Sequence, residues 1–252
     1  MNTISIVIIV KNGQDFIEKA LISSTWADEI LILDSGSTDS TLDIAKKYTN
    51  NIHISDSWPG FGKQRQNAQQ LASSDWIMML DADEEISLNL QHSIKKAIEG
   101  HDDIYQINRL SKAFGHEVKH SGWHPDWINR LYPKKLTTYN DALVHETLVI
   151  PEQFKPKKIS GILHHETYKS MQDYYQKMSI YIDAWSTQNI DKKTGGFFIG
   201  LIRGQWAFFK MYILKLGFLD GFVGITLAIL RYETTIMKYV DLKIKKTARN
   251  KE

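Results

Sequence analysis

Continuous apolar runs alternate with amphipathic segments from the start of the chain to about Asp83, and this alternation constrains the fold more than any other feature. Ile4–Val10, Glu29–Leu33 and Trp76–Leu80 read as strands, with a weaker one at Ile52–Ile54. Between them Phe16, Ile17, Ala20 and Leu21, then Leu42, Ala45 and Tyr48, then Phe61, Ala68, Leu71 and Ala72 recur at helical spacing. Ser37 or Thr38 stands where it could cap the second of these helices. A strand with no polar alternation needs cover on both faces, so the pattern predicts an α/β fold with a parallel sheet between layers of helix. Ligands of such sheets collect at the carboxyl ends of strands. Three of those ends are polar here: Lys11-Asn12-Gly13, Asp34-Ser35-Gly36 and Asp81-Ala82-Asp83.

The third of these ends concentrates charge. In WIMMLDADEEI, four carboxylates follow a buried-type strand. On an extended backbone the side chains of Asp81 and Asp83 point the same way. They can converge on one hard cation, which in turn would hold a diphosphate. Alternatively the acids reach solvent, with Asp83, Glu84 and Glu85 opening a helix whose N-terminus favours anions. Asp34 offers either an acceptor for base or ribose hydroxyls or a cap for its own turn, and Gly36 permits a tight turn close to a ligand.

The middle of the chain is less regular, with short strands predicted at Ile104–Asn108, Trp127–Tyr132 and Leu148–Ile150. Tyr168, Met171, Tyr174, Tyr175, Met178, Tyr181, Ile182 and Trp185 then mark a helix whose stripe reads as packing core. Residues 197–232 are the most hydrophobic part, but Arg203, Lys210, Lys215 and Asp220 leave no uncharged stretch long enough to span a bilayer. A break near Gly217–Gly221 and a tail rich in Lys and Arg follow. This pattern suits either the surface of an anionic membrane or a helical pair capping the α/β core. The net charge of +2 gives no electrostatic footprint for nucleic acid. The absence of cysteine excludes disulfides and thiolate chemistry. The opening MNTISIVIIVKNG reads as a strand, without the basic start and long apolar core of an export signal.

SIVIIVKN, EILILDSGSTDST and WPGFGKQRQNAQQLASSDWIMMLDADEEI together resemble the amino-terminal half of family 2 glycosyltransferases of the GT-A fold. HSGWHPDWINRLYPKK, DALVHETLVI, LHHETY and GFLDGFVG extend the resemblance toward the branch that adds a hexose, typically glucose, to the inner-core heptose of lipopolysaccharide. The resemblance implies a catalytic domain over residues 1–165 and a helical, membrane-associated region over 166–252. It implies a UDP-hexose donor, a lipid-linked heptose acceptor, Mg²⁺ or Mn²⁺ as cofactor, and a location at the inner face of the cytoplasmic membrane.

For the donor side it implies Lys11, Asn12, Asp34, Gly36, Arg65 and Asp81, with Arg65 meeting phosphate and Gln66 standing where the family has Asn. Asp83 would ligate the cation directly, Asp81 directly or through water, and His165 is a further candidate ligand beside the weaker His145. Inverting transfer needs a carboxylate base within reach of the acceptor hydroxyl. The resemblance assigns it to Glu146, with Asp126 as the alternative, while Trp123, His124, Asp126 and Arg130 would shape the acceptor pocket. Competing functions are transfer to a polyprenyl-phosphate or other glycolipid, an aspartate-nucleophile phosphohydrolase suggested by LDADE, and a non-enzymatic membrane scaffold.

Overall fold

A computed structural model of the chain describes residues 2–101, 103–142 and 146–250. Strand β1 (Ile4–Val10) is buried at every position. Its parallel neighbours are β2 (Glu29–Asp34) and β4 (Trp76–Asp81), and β3 (Ile52–Ile54) extends the sheet beyond β2. The pleat sorts the side chains of β1 between two cores. Ile4, Ile6, Ile8 and Val10 pack with Ile17, Ala20 and Leu21 of α1 (Ile17–Ile22), whereas Val7 and Ile9 pack with Ala68 and Ala72 at α3 (Phe61–Leu71) and just beyond it. The short helix α2 (Thr41–Ala45) completes this half.

The sheet then turns mixed. Antiparallel β8 (Asp126–Pro133) adds to β4, followed in space by β6 (Tyr105–Ala113), β9 (Lys157–Tyr168) and β5 (Glu84–Ile86), while β7 (His116–Glu117) pairs with β6. A mixed sheet flanked by helices is the α/β arrangement expected of a GT-A chain. Three local expectations are corrected. Glu84 and Glu85 do not open a helix: they form β5, and α4 (Leu88–Ile98) starts after Ser87, whose hydroxyl accepts from the Leu90 amide at 3.3 Å. Neither Ser37 nor Thr38 caps α2, which begins at Thr41, because Ser37 is drawn into the turn of Asp34. The strand expected at Leu148–Ile150 is reduced to a single bridge between Tyr139 and Leu148.

The chain forms two compact units: Met1–Arg109 with Asp126–Glu166, and Leu110–Pro125 with Thr167–Glu252. The excursion 110–125 thus joins the helical unit rather than the first, a division that no sequence signal marked. Ala113, Phe114, Val118 and Trp123 pack in the same apolar cluster as Tyr168, Tyr174 and Leu227, and the buried carboxylate of Asp220 gathers the amides of Lys119 and His120, the His120 ring and the Ser121 hydroxyl at 2.8–3.1 Å. Helices α5 (Met171–Gln188), α6 (Phe197–Phe209, continued by a π-helical turn over Lys210–Leu214) and α7 (Gly221–Arg249) make up most of this unit. Gly200 and Gly204 let α6 approach α7 closely, since a methyl at either would meet Ile236 or Tyr232 at about 3 Å. The α5 stripe is divided: Tyr174 is core and Met178 packs against it, but Met171, Tyr175 and Tyr181 are exposed. Among the described residues no single helix is long and apolar enough to cross a membrane.

Glu29, at the start of β2, ties three segments together. It accepts from the Ser5 hydroxyl, from the Ser73 amide (2.8 Å) and hydroxyl (3.0 Å), and from Asn51 (2.8 Å). Partial burial acts to raise its pKa, but the hydrogen bonds from Ser5 and Ser73 outweigh it and hold the carboxyl below its usual value. A lowered pKa stabilises the fold above the unfolded value and ceases to do so as pH falls through the folded value. Glu29→Gln is therefore expected to lower stability at neutral pH, with the gap to the parent closing below about pH 4. Urea unfolding across that range checks this, and a pH-independent gap would count against it.

Candidate active site

The ends of β1, β2 and β4 lie side by side, with Val10 in register with Asp34 and Ile9 with Asp81. The Lys11-Asn12 corner therefore sits between the two aspartate strands. Asp34 is fully buried, and its carboxylate accepts from the Gly36 and Ser37 amides (both 2.8 Å) and the Ser37 hydroxyl (2.5 Å). A carboxylate has about four acceptor positions, so the turn leaves one. Gly36 serves this turn with φ +84°, and a side chain there would meet open space, so its requirement is conformational. Asn12, itself at φ +53°, donates its amide to Ser37 (2.7 Å) and accepts the Thr38 amide (2.8 Å). Asp39 and Thr41 similarly hold the amides of Gln14 and Gly13, at 3.2 and 2.8 Å. The two loops form one stitched rim, with the Lys11 side chain exposed upon it.

Below this rim runs a continuous chain of alternating charges. Glu146 accepts from Nε of Arg65 at 2.7 Å, and Nη2 of the same guanidinium meets Asp81 at 2.6 Å. The other Asp81 oxygen takes Nη2 of Arg130 at 2.5 Å. Arg130 lies 3.6 Å from Glu84, Arg109 lies 3.4 Å from the same Glu84 oxygen, and Arg109 grips Asp126 through two nitrogens at 2.8 and 2.9 Å. Burial opposes the charge on Asp81, but Arg130 and Arg65 hold its carboxyl far below the ordinary range. Burial likewise opposes the charge on Arg130, which Asp81 and Glu84 restore, keeping it firmly protonated.

Local folding places each member. Arg65 is on the buried face of α3 with Gln64, Ala68 and Gln69, one helical turn apart. Gly62 lets that helix meet the next segment backbone to backbone: a methyl there would lie 2.0 Å from the Asn140 carbonyl. Gln66 donates to the Tyr139 carbonyl (2.8 Å) and to Asp141 (2.7 Å), so the departure from Asn keeps a structural task, fastening the segment that leads to Glu146. Nη1 of Arg65 is buried without a partner among the described residues, an N–H suited to an anionic oxygen.

Asp83 follows the strand end, and Nε2 of His165 lies 3.5 Å from its Oδ2. Burial lowers the His165 pKa, but hydrogen bonding and charge from Asp83 more than offset this and push it up. Among the described residues no three His, Asp or Glu side chains approach closely enough to enclose a metal ion. Asp81 is drawn toward two guanidiniums instead. The donor set still fits a divalent cation of the kind that takes one or two protein ligands and completes its shell with substrate phosphate and water. Asp83 and His165 are the pair able to hold it. His145 lies outside the described residues.

The profile described as Glycosyl transferase family 2 matches residues 5–186. The chain belongs to glycosyl transferase family 2. As a family 2 glycosyltransferase it is similar to an uncharacterized glycosyltransferase of Rickettsia prowazekii (strain Madrid E), 28% identical over 89% of this chain and 81% of that protein. It is also similar to the lipopolysaccharide core biosynthesis glycosyltransferase LpsC of Rhizobium meliloti (strain 1021), 26% identical over 86% of this chain and 82% of that protein. Among solved structures, glucosyl-3-phosphoglycerate synthase from Mycobacterium tuberculosis, in complex with Mn²⁺, UDP and glucosyl-3-phosphoglycerate, aligns at 22% identity and a TM-score of 0.38. That alignment covers 44% of each chain.

In this glycosyltransferase the residues expected on the donor side, Lys11, Asn12, Asp34, Gly36, Arg65 and Asp81, fall within one unit, as do Glu146, Asp126 and Arg130. Trp123 and His124 belong to the helical unit, where Trp123 packs edge-on to Tyr168 at 6.0 Å, so the expected acceptor set is divided. Sequence reasoning missed Glu84 and Arg109. A usable signal existed for Glu84, because it shares the face of core residue Ile86 at a spacing of two. Arg65→Ala is expected to cost about 3 kcal/mol, because it leaves the half-buried Glu146 without a guanidinium and Asp81 with Arg130 alone. Arg65→Lys should recover little, since one ammonium cannot replace the fork that meets both. Urea unfolding measures both variants, and a lysine variant within about 1 kcal/mol of the parent would contradict the bridge.

Proposed function

We propose that this glycosyltransferase inverts the anomeric centre of a UDP-activated hexose, most simply glucose, while transferring it to a lipid-linked heptose of the lipopolysaccharide core. One observation carries the reading: a single buried guanidinium, Arg65, links Asp81 at the donor strand end to Glu146, the candidate base. The relative named for lipopolysaccharide core biosynthesis supports the choice of acceptor class. On this reading the stitched rim around Asp34 and Asn12 receives the nucleoside, and Nη1 of Arg65 receives a diphosphate oxygen. Asp83 and His165 hold Mg²⁺ or Mn²⁺, which when bound neutralises the leaving diphosphate.

Glu146 takes the proton of the acceptor hydroxyl as that oxygen bonds to the sugar carbon and the sugar–phosphate bond breaks. Its Oε1 is fixed by Arg65, and its other oxygen makes no hydrogen bond among the described residues, as a base requires. Asp126 is the alternative base, but Arg109 holds one of its oxygens through two nitrogens. A phosphohydrolase would need Asp81 as a free nucleophile, and both of its oxygens are tied to arginine.

On this reading the acceptor is membrane-bound at the cytoplasmic face of the inner membrane, and the helical unit offers an apolar surface for such contact. Phe198, Ile202, Phe209 and Ile213 recur on one exposed stripe of α6 and its extension, flanked by Trp206 and followed by Phe222. Phe198 is 76%, Trp206 59% and Phe222 83% exposed. From Phe197 to Phe222 the exposed charges are Arg203, Lys210 and Lys215, and the one acid, Asp220, has its carboxylate buried. Apolar side chains with a purely cationic border match an anionic bilayer surface.

Purified protein given UDP-hexoses with Mn²⁺ and a heptose-terminated core lipid should transfer sugar. Glu146→Gln should lower kcat by at least about a hundredfold with little change in donor KM. Absence of transfer from every donor would refute the reading. Replacing Phe198, Trp206 and Phe222 together by serine should abolish co-sedimentation with phosphatidylglycerol vesicles. Undiminished binding would remove the membrane assignment, and a shift in oligomeric state would assign the face to self-association instead.

A further inference from the structure

We propose that Glu84 is a positioning residue of the donor site, setting the affinity for a nucleoside diphosphate and its divalent cation without touching either. This inference rests on the donor reading above. Glu84 is 1% exposed, yet both of its carboxylate oxygens are engaged at the strand end. Its Oε2 accepts the Asp81 amide at 2.9 Å, closing the turn that carries Ala82 and Asp83. Its Oε1 lies between two guanidiniums, 3.4 Å from Arg109 and 3.6 Å from Arg130. Each of those arginines binds a further carboxylate on its other side, Asp126 and Asp81 respectively.

The backbone places Glu84 for this task. It pairs with His165 across β5 and β9, and the adjacent Asp83 carbonyl accepts the Glu166 amide at 2.9 Å. The peptide flanking Asp83 is therefore held from both sides, by Glu84 toward β4 and by β9 on the other. Asp83 and His165, the pair able to hold the cation, inherit their spacing from this clamp. A buried carboxylate with no access to solvent has a cost that only full pairing offsets, and the pairing of both oxygens supplies it.

An amide cannot take its place. Whichever way a glutamine is turned, its NH₂ faces either the Asp81 amide or the two guanidiniums, donor against donor. Aspartate keeps the charge but, one methylene shorter, cannot span from the peptide to both arginines. In the double variant E84Q/R109Q the glutamine oxygen can accept the Asp81 amide, but it carries no charge and Asp126 loses its guanidinium, so the turn is held more weakly than by Glu84.

The test is titration of UDP with Mn²⁺ by calorimetry on the parent, Glu84→Gln, Glu84→Asp and E84Q/R109Q, each below its own Tm. The expected result is a Kd at least tenfold weaker in every folded variant. A purely structural Glu84 would lower Tm and leave the affinity of the folded protein unchanged, and that result overturns the proposal. If Glu84→Gln does not fold, Glu84→Asp and the double variant distinguish the same two outcomes. A parent that fails to bind UDP with Mn²⁺ would refute the donor reading itself, whereas equal binding by parent and variants refutes only the role of Glu84.

Discussion

Asp81 pinned between Arg65 and Arg130 is the interaction on which the site depends. Neither arginine could be buried alone, because a guanidinium removed from water costs several kcal/mol unless it is paired. Here each buried charge has neighbours of opposite sign, so the cost is shared along a chain that begins at Glu146 and ends at Asp126. Both candidate bases are terminal members of that chain. Glu146 is consequently coupled to the end of β4 by short, directional, charge-assisted contacts, and Asp126 by a longer route through Glu84.

The scaffold makes such a chain possible by bringing strands of different origin to one edge. Asp81 leaves parallel β4, while Asp126 and Arg130 ride on antiparallel β8 and Arg109 on β6, with Arg109 and Asp126 directly opposite in register. Arg65 arrives from a helix on the other core layer, and Gly62 allows that helix to sit against the segment leading to Glu146. The rim above is built separately, from hydroxyl, carboxylate and carboxamide groups that satisfy backbone amides in two adjacent loops. A pre-shaped rim over a strongly charged floor suits a ligand with a nucleoside at one end and a diphosphate at the other.

In the helical unit, Asp220 performs a comparable organising task with backbone amides instead of arginines, and it explains why the GFLDGFVG stretch carries an acid within an apolar run. The tight turn there needs glycine at 224, where any side chain would collide with the Gly217 carbonyl. The exposed aromatics of α6 and α7 lie outside this core, so the unit holds together without them.

Much of the fold is legible in the sequence. Buried strands reveal themselves as unbroken apolar runs, and the polar residues that terminate β1, β2 and β4 locate their ends. Asp34, Asp81 and Asp83 stand out because they sit at or just beyond those ends, whereas Arg65 is singled out only by the family resemblance. Glu84 does not start a helix: it opens a three-residue strand, too short to show a period of its own, and only its pairing with β9 reveals it. Arg109 and Arg130 carry no local signal for ion pairing, since their partners lie 17 to 49 residues away. Sequence alone therefore determined which strands are buried and which residues end them, as those follow from local hydrophobic patterning. Tertiary structure decided which charges meet, because ion pairing depends on distances between segments that only the closed sheet defines.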